Sequence, residues 1–149
     1  MMYRTHLLAG AFLALLFLPF VVHKWLFVPV VLFCSLLPDI DSMHSYLGRR
    51  WFFRPLQWAV KHRDVFHSLT LCIIIALVFA FYIPVLALPF FLGYAGHLFA
   101  DALTNEGIRA FWPLKEISSW RITTGGKSER IFFYFLIAAN IALIARMIW

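Results

Sequence analysis

Polar and apolar residues fall along this chain in blocks: five apolar runs are separated by two tight turns and two long polar loops. The first run extends from about Thr5 to Val22, with Pro19 near its far end, where a helix can stop at little cost. Val21-Val22-His23-Lys24 makes a turn, and the second run, Trp25 to Leu37, contains Pro29, which predicts a helix that is either kinked or not fully spanning. A third run follows His67 and reaches Ile83, Tyr82-Ile83-Pro84 turns the chain, Val85 to Leu103 returns, and Ile131 to Trp149 is the last run. The pattern predicts an all-α fold: an integral membrane bundle of about five transmembrane helices, forming a single domain over residues 1–149.

Composition supports a membrane protein, because 63% hydrophobic and 13% charged residues leave too few polar side chains to cover a soluble domain of 149 residues. No Ser/Gly-rich linker, repeat or low-complexity tract divides the chain. The formal charge of +6 comes without a nucleic-acid recognition motif, so no nucleic-acid partner is expected, and the excess of Lys and Arg is read as marking cytoplasmic loops. Cys34 and Cys72 lie in separate apolar runs and are expected to be reduced and packed. The N-terminal run superficially resembles a signal peptide, but it has no small-x-small site before Phe20 and is expected to be retained.

The chemistry is concentrated where the apolar runs end. His97 and Asp101 are four residues apart, so on a helix both leave one face and can converge on an ion; a hydrogen bond between them or to water is the competing account. A carboxylate within a membrane segment costs roughly 2.5–3.5 kcal/mol on insertion scales, which makes Asp101 a functional candidate. Pro38-Asp39-Ile40-Asp41 follows the second run, and two carboxylates on an irregular turn can bend toward one centre. A solvated acidic turn is the alternative there. His62 and His67 bracket the entrance to the third run, with Arg63 between them as an anion or phosphate ligand or as a salt-bridge partner of Asp64. His6 stands at the entrance to the first run, and Glu129 opens the last, where it caps the helix dipole or joins the site. His23 and His44 are read as exposed. Arg49, Arg50 and Arg54 alternate with Trp51, Phe52, Phe53 and Trp58 in a loop suited to the headgroup layer.

If all five runs cross, one membrane face carries Arg4, the basic residues of loops 38–65 and 104–130, and every candidate ligand. That is eleven of the 13 Lys and Arg, with Lys24 and Arg146 elsewhere, and the positive-inside rule makes the face cytoplasmic. His6, Asp39, Asp41, His62, His67, His97 and Asp101 are therefore the expected metal ligands, with Glu129 and Arg63 as catalytic candidates. They are more than one tetrahedral site uses, so two or more ions can be accommodated.

The chain resembles the LexA-regulated, membrane-bound, metal-dependent hydrolase family of the YdjM type. The resemblance rests on His6-Leu7-Leu8, Leu36-Leu37-Pro38-Asp39-Ile40-Asp41, His62-Arg63, His67-Ser68, Gly93-Tyr94 with His97, Asp101, Leu103-Thr104, Gly107, Trp112-Pro113 and Glu129-Arg130, in order along nearly the whole chain. Asp64, Phe66 and Gly96 depart from the family pattern and spare every candidate ligand. The family's distant similarity to zinc-dependent phospholipases implies a metal-dependent hydrolase of the bacterial inner membrane that uses Zn²⁺ or a similar divalent ion. Its substrate would be a phosphoester of a lipid or lipid-linked molecule at the cytoplasmic leaflet. The alternative is a non-catalytic membrane protein with a structural or sensing metal site.

Overall fold

A computed structural model describes residues 1–42, 45, 48, 51, 54 and 65–149. Among the described residues the helices are α1 (Tyr3–Phe17), α2 (Lys24–Cys34), α3 (Leu69–Tyr82), α4 (Pro84–Ala102) and α5 (Lys127–Ile148), with 3₁₀ turns at Leu18–Phe20 and Pro38–Asp41. Each begins or ends where the sequence changes character. Pro19 sits inside the turn that ends α1, and Pro84 occupies the first position of α4, where its missing N–H costs no helical bond. The Ser68 hydroxyl caps α3 by accepting from the Leu71 N–H at 3.2 Å.

Among the described residues, three segments are long and apolar enough to cross a bilayer: Tyr3–Phe20, Pro84–Ala102 and Lys127–Ile148. The 11-residue α2 rises only about 16 Å and the 14-residue α3 about 21 Å, against a hydrocarbon core of about 30 Å. The second run is thus the partial span that Pro29 anticipated, and α3 also falls short of the length expected for a full crossing. Both still pack beside longer helices: α4 lies against α1, α2 and α3, while α5 packs on α1.

Close helix approach is built into α4. A Cβ added at Gly93 would collide with the backbone carbonyl of Val31 and reach 2.8 Å from Cys34 Cβ, so only glycine lets α4 lie this near α2. Cys34 and Cys72 are buried and unbridged, in a core with Phe90, Tyr94 and Leu98. Asn140 ties α5 to α1 from within the membrane by donating to the Leu8 carbonyl at 3.2 Å, and it also donates to the Leu136 carbonyl at 2.7 Å.

Beyond α4 the chain folds back without forming an extended strand. Ile108 and Ser118 exchange backbone hydrogen bonds at 3.0 and 2.9 Å, and Gly107 turns between them and α4 with φ +63°. The Leu69 N–H donates to the Ala110 carbonyl at 2.7 Å, which fastens this loop to the start of α3. The starts of α1, α3 and α5 and the ends of α2 and α4 thereby meet at one end of the bundle.

Candidate metal centre

Four side chains from three parts of the chain meet at that end: Asp39 from the 3₁₀ turn, His67 just before α3, and His97 and Asp101 one turn apart on α4. Each offers one donor atom, and the four atoms lie within 4.8 Å of one another. His67 Nε2 is 3.6 Å from both Asp39 Oδ1 and Asp101 Oδ2, and His97 Nε2 is 3.7 and 3.4 Å from the same two atoms. A tetrahedron of N and O ligands about 2.1 Å from a central Zn²⁺ has edges of about 3.4 Å. Four of the six edges, at 3.4–3.7 Å, are close to that size, so the donor set has the chemistry and the scale to hold a divalent ion.

Hydrogen bonds behind the two imidazoles set which nitrogen faces the cluster. His97 Nδ1 is 2.8 Å from the Ser35 carbonyl oxygen, which can only accept, so the proton is assigned to Nδ1 and the Nε2 lone pair points inward. His67 Nδ1 stands 3.2 Å from Asp41 Oδ2, and a carboxylate imposes the same tautomer. His97 Nε2 is buried and makes no hydrogen bond among the described residues, although burying a polar atom without a partner is costly. An ion held by the four donors would supply the missing partner.

His6 lines the wall of this centre. Its ring stacks on that of His97 at 3.8 Å between centroids, and its Nε2 lies 3.3 Å from Asp101 Oδ1. Both of its ring nitrogens are buried and lack a hydrogen bond among the described residues. The backbone nitrogen of Met1 lies 2.5 Å from the same Asp101 oxygen.

Electrostatics follow from crowding. Burial alone would lower the pKa of His67, but the facing carboxylate of Asp39, the hydrogen bond to Asp41 and the charge of Asp101 override it and raise the value to about 9. Burial would raise Asp39, and the imidazoles of His67 and His97 facing it instead hold it below the usual carboxylate range. In the metal-free protein, protons on imidazole balance the carboxylates that an ion would otherwise neutralise.

The expected ligands separate into distinct positions. Asp39, His67, His97 and Asp101 form the four-donor group, His6 stands beside it, and Asp41 lies behind His67. Glu129 is elsewhere: its Oε1 accepts from the Met2 N–H at 2.7 Å and the Thr5 hydroxyl at 2.8 Å, and its Oε2 accepts from the Gly125 N–H at 2.6 Å. His62 and Arg63 lie outside the described residues. Sequence reasoning missed the Ser35 carbonyl, since a backbone acceptor leaves no side-chain signature. It also missed the positioning role of Tyr94, whose hydroxyl donates to the Phe66 carbonyl at 2.6 Å and holds the segment that presents His67.

The profile of the YdjM inner membrane protein family matches residues 1–149. Among curated proteins, the inner membrane protein YdjM of Escherichia coli (strain K12) and that of Shigella flexneri are each 39% identical over 108 residues, covering 65% of this chain. The chain spans about half the length of these relatives, the matched part being 52% of each. No solved structure matches.

Proposed function

The chain belongs to the YdjM family of inner membrane proteins, and from that premise we propose that it is a metal-dependent hydrolase of lipid or lipid-linked phosphoesters, working at the cytoplasmic leaflet. The observation that carries this reading is the four-donor cluster, with 3.4–3.7 Å edges and an inward lone pair on each imidazole, placed at the membrane-surface end of the helices. Two imidazole nitrogens and the Asp101 oxygen suit Zn²⁺ as three holding ligands, which leaves the fourth position, beside Asp39, open to water. The cytoplasmic orientation rests on the basic residues gathered at that end.

A bound divalent ion would supply acidification of water and polarisation of a phosphoryl oxygen. The protein's own residues do the rest. His67, His97 and Asp101 are essentially inaccessible and serve as the holding ligands, whereas 18% of the Asp39 side chain is exposed. Asp39 is therefore the carboxylate at which water and substrate approach, and it takes a proton from the attacking water. Asp41 and the Ser35 carbonyl keep both imidazoles oriented. Arg63 is assigned to the phosphoryl oxygens, which its planar fork matches, and Glu129 to joining the starts of α1 and α5.

The test is purification with metal analysis, followed by phosphate-release and lipid-cleavage assays with and without chelator. Asp39→Asn should retain bound metal and lose at least about 100-fold in turnover, the size of a lost general base. Arg63→Lys should retain metal and fold and lose turnover. Wild-type protein that binds metal yet hydrolyses no phospholipid or lipid-linked phosphate would favour the structural or sensing role instead.

A further inference from the structure

A cleft of about 330 Å³ opens between the starts of α1 and α5, and none of the residues of the metal centre is in its lining. Its walls combine two guanidinium side chains, Arg4 and Arg130, with the aromatic pair Phe133 and Tyr134 and the backbone of Gly125-Gly126. We propose that this cleft binds the phosphate headgroup of an anionic phospholipid from the surrounding bilayer, as a site separate from the metal cluster and independent of the hydrolase reading.

Charge and depth both point to that occupant. Residues 130, 133 and 134 are spaced i, i+3, i+4 and share one face of α5, with the charged residue at the membrane surface and the two rings a turn deeper. Tyr134 is 63% exposed, which gives an acyl chain an aromatic wall where a free anion would find only oil. The Arg4 guanidinium is steadied at the rim by its Nε donating to the Tyr3 hydroxyl at 3.2 Å and by lying 5.7 Å from the Tyr3 ring centroid. Among the described residues Glu129 is the one acid in the lining and would repel an anion, but it is buried and both its oxygens accept hydrogen bonds from protein donors. Two cations against one satisfied carboxylate leave the cleft positive, and guanidiniums match phosphate oxygens in fork geometry.

Native mass spectrometry of the detergent-purified protein, titrated with phosphatidylglycerol, phosphatidylcholine and inorganic phosphate, tests this. Wild type should bind phosphatidylglycerol at least about tenfold more tightly than phosphatidylcholine, and inorganic phosphate should not displace it. The double variant Arg4→Gln/Arg130→Gln should lose at least about tenfold in phosphatidylglycerol affinity while keeping wild-type metal content, because neither arginine touches the cluster. Should the double variant fail to fold, the single Arg130→Gln, altering an exposed residue in the first turn of α5, should show about half that loss on a logarithmic scale. Unchanged lipid affinity in a folded variant, or full displacement by inorganic phosphate, overturns the proposal. Protein that retains phosphatidylglycerol but no metal would refute the metal-centre reading and leave the cleft standing, and the converse result would do the opposite.

Discussion

Asp41 separates two arrangements that its sequence position alone does not distinguish: a direct ligand to the ion, or a carboxylate that holds a ligand from behind. Its Oδ2 faces Nδ1 of His67, 3.2 Å away, while the opposite ring nitrogen faces Asp39 and Asp101. Replacing Asp41 by Asn keeps the shape, and the amide oxygen can still accept from Nδ1, but the negative charge that strengthens the imidazole as a donor is gone. Replacing it by Ala removes the acceptor as well. Partners behind metal-bound histidines typically contribute about 10–100-fold in metal affinity, or about 1.4–2.7 kcal/mol. Asp41→Asn should fall near the low end and Asp41→Ala near the high end, and both should still bind the wild-type number of ions at saturation. Asp101→Ala, which removes a donor of the group itself, should reduce that number. The assay is competition against a chromophoric chelator, with stoichiometry from elemental analysis of the purified variants. Loss of stoichiometric metal in Asp41→Asn, matching Asp101→Ala, would place Asp41 in direct contact with the ion and refute the arrangement; unchanged affinity in Asp41→Ala would show that His67 does not bind the metal.

Three further outcomes follow from the same geometry. With the His67 pKa raised to about 9 in the metal-free protein against an unfolded value near 6.5, its protonated form stabilises the fold fully below pH 6.5 and this contribution fades as pH rises through about 9; metal must displace that proton, so metal affinity should climb by up to about tenfold per pH unit between pH 6.5 and 8.5, with proton release measurable by calorimetry in buffers of different ionisation enthalpy. Glu129→Ala strands the Met2 and Gly125 N–H groups and the Thr5 hydroxyl, and should cost about 1–3 kcal/mol in stability by thermal or chemical denaturation, whereas a pure proton acceptor would lose rate with its stability intact. Ser45→Cys and Gly126→Cys should resist a membrane-impermeant thiol reagent in intact cells and react after permeabilisation, and labelling of both from outside would reverse the orientation.

The sequence by itself determined the all-helical membrane class, because long apolar runs in lipid must satisfy their backbone hydrogen bonds internally and helices do so. It also determined the pairing of His97 with Asp101, since a spacing of four residues on a helix leaves both on one face whatever else packs nearby. The positions of the remaining candidates were legible only as belonging to one end of the bundle. Asp39 and Asp41 are two residues apart on the same turn, yet one joins the donor group and the other stands behind His67, a division set by the irregular 3₁₀ backbone and by how closely Gly93 lets α2 approach α4. Glu129 has the residue type and location of a site acid, but contacts with residues more than a hundred positions away in the chain engage it at the junction of α1 and α5. The Ser35 carbonyl orients His97 without any side chain to announce it. Local periodicity is encoded within a few residues and can be read from them; which donor faces which partner depends on distances between helices, and those exist only once the bundle has packed.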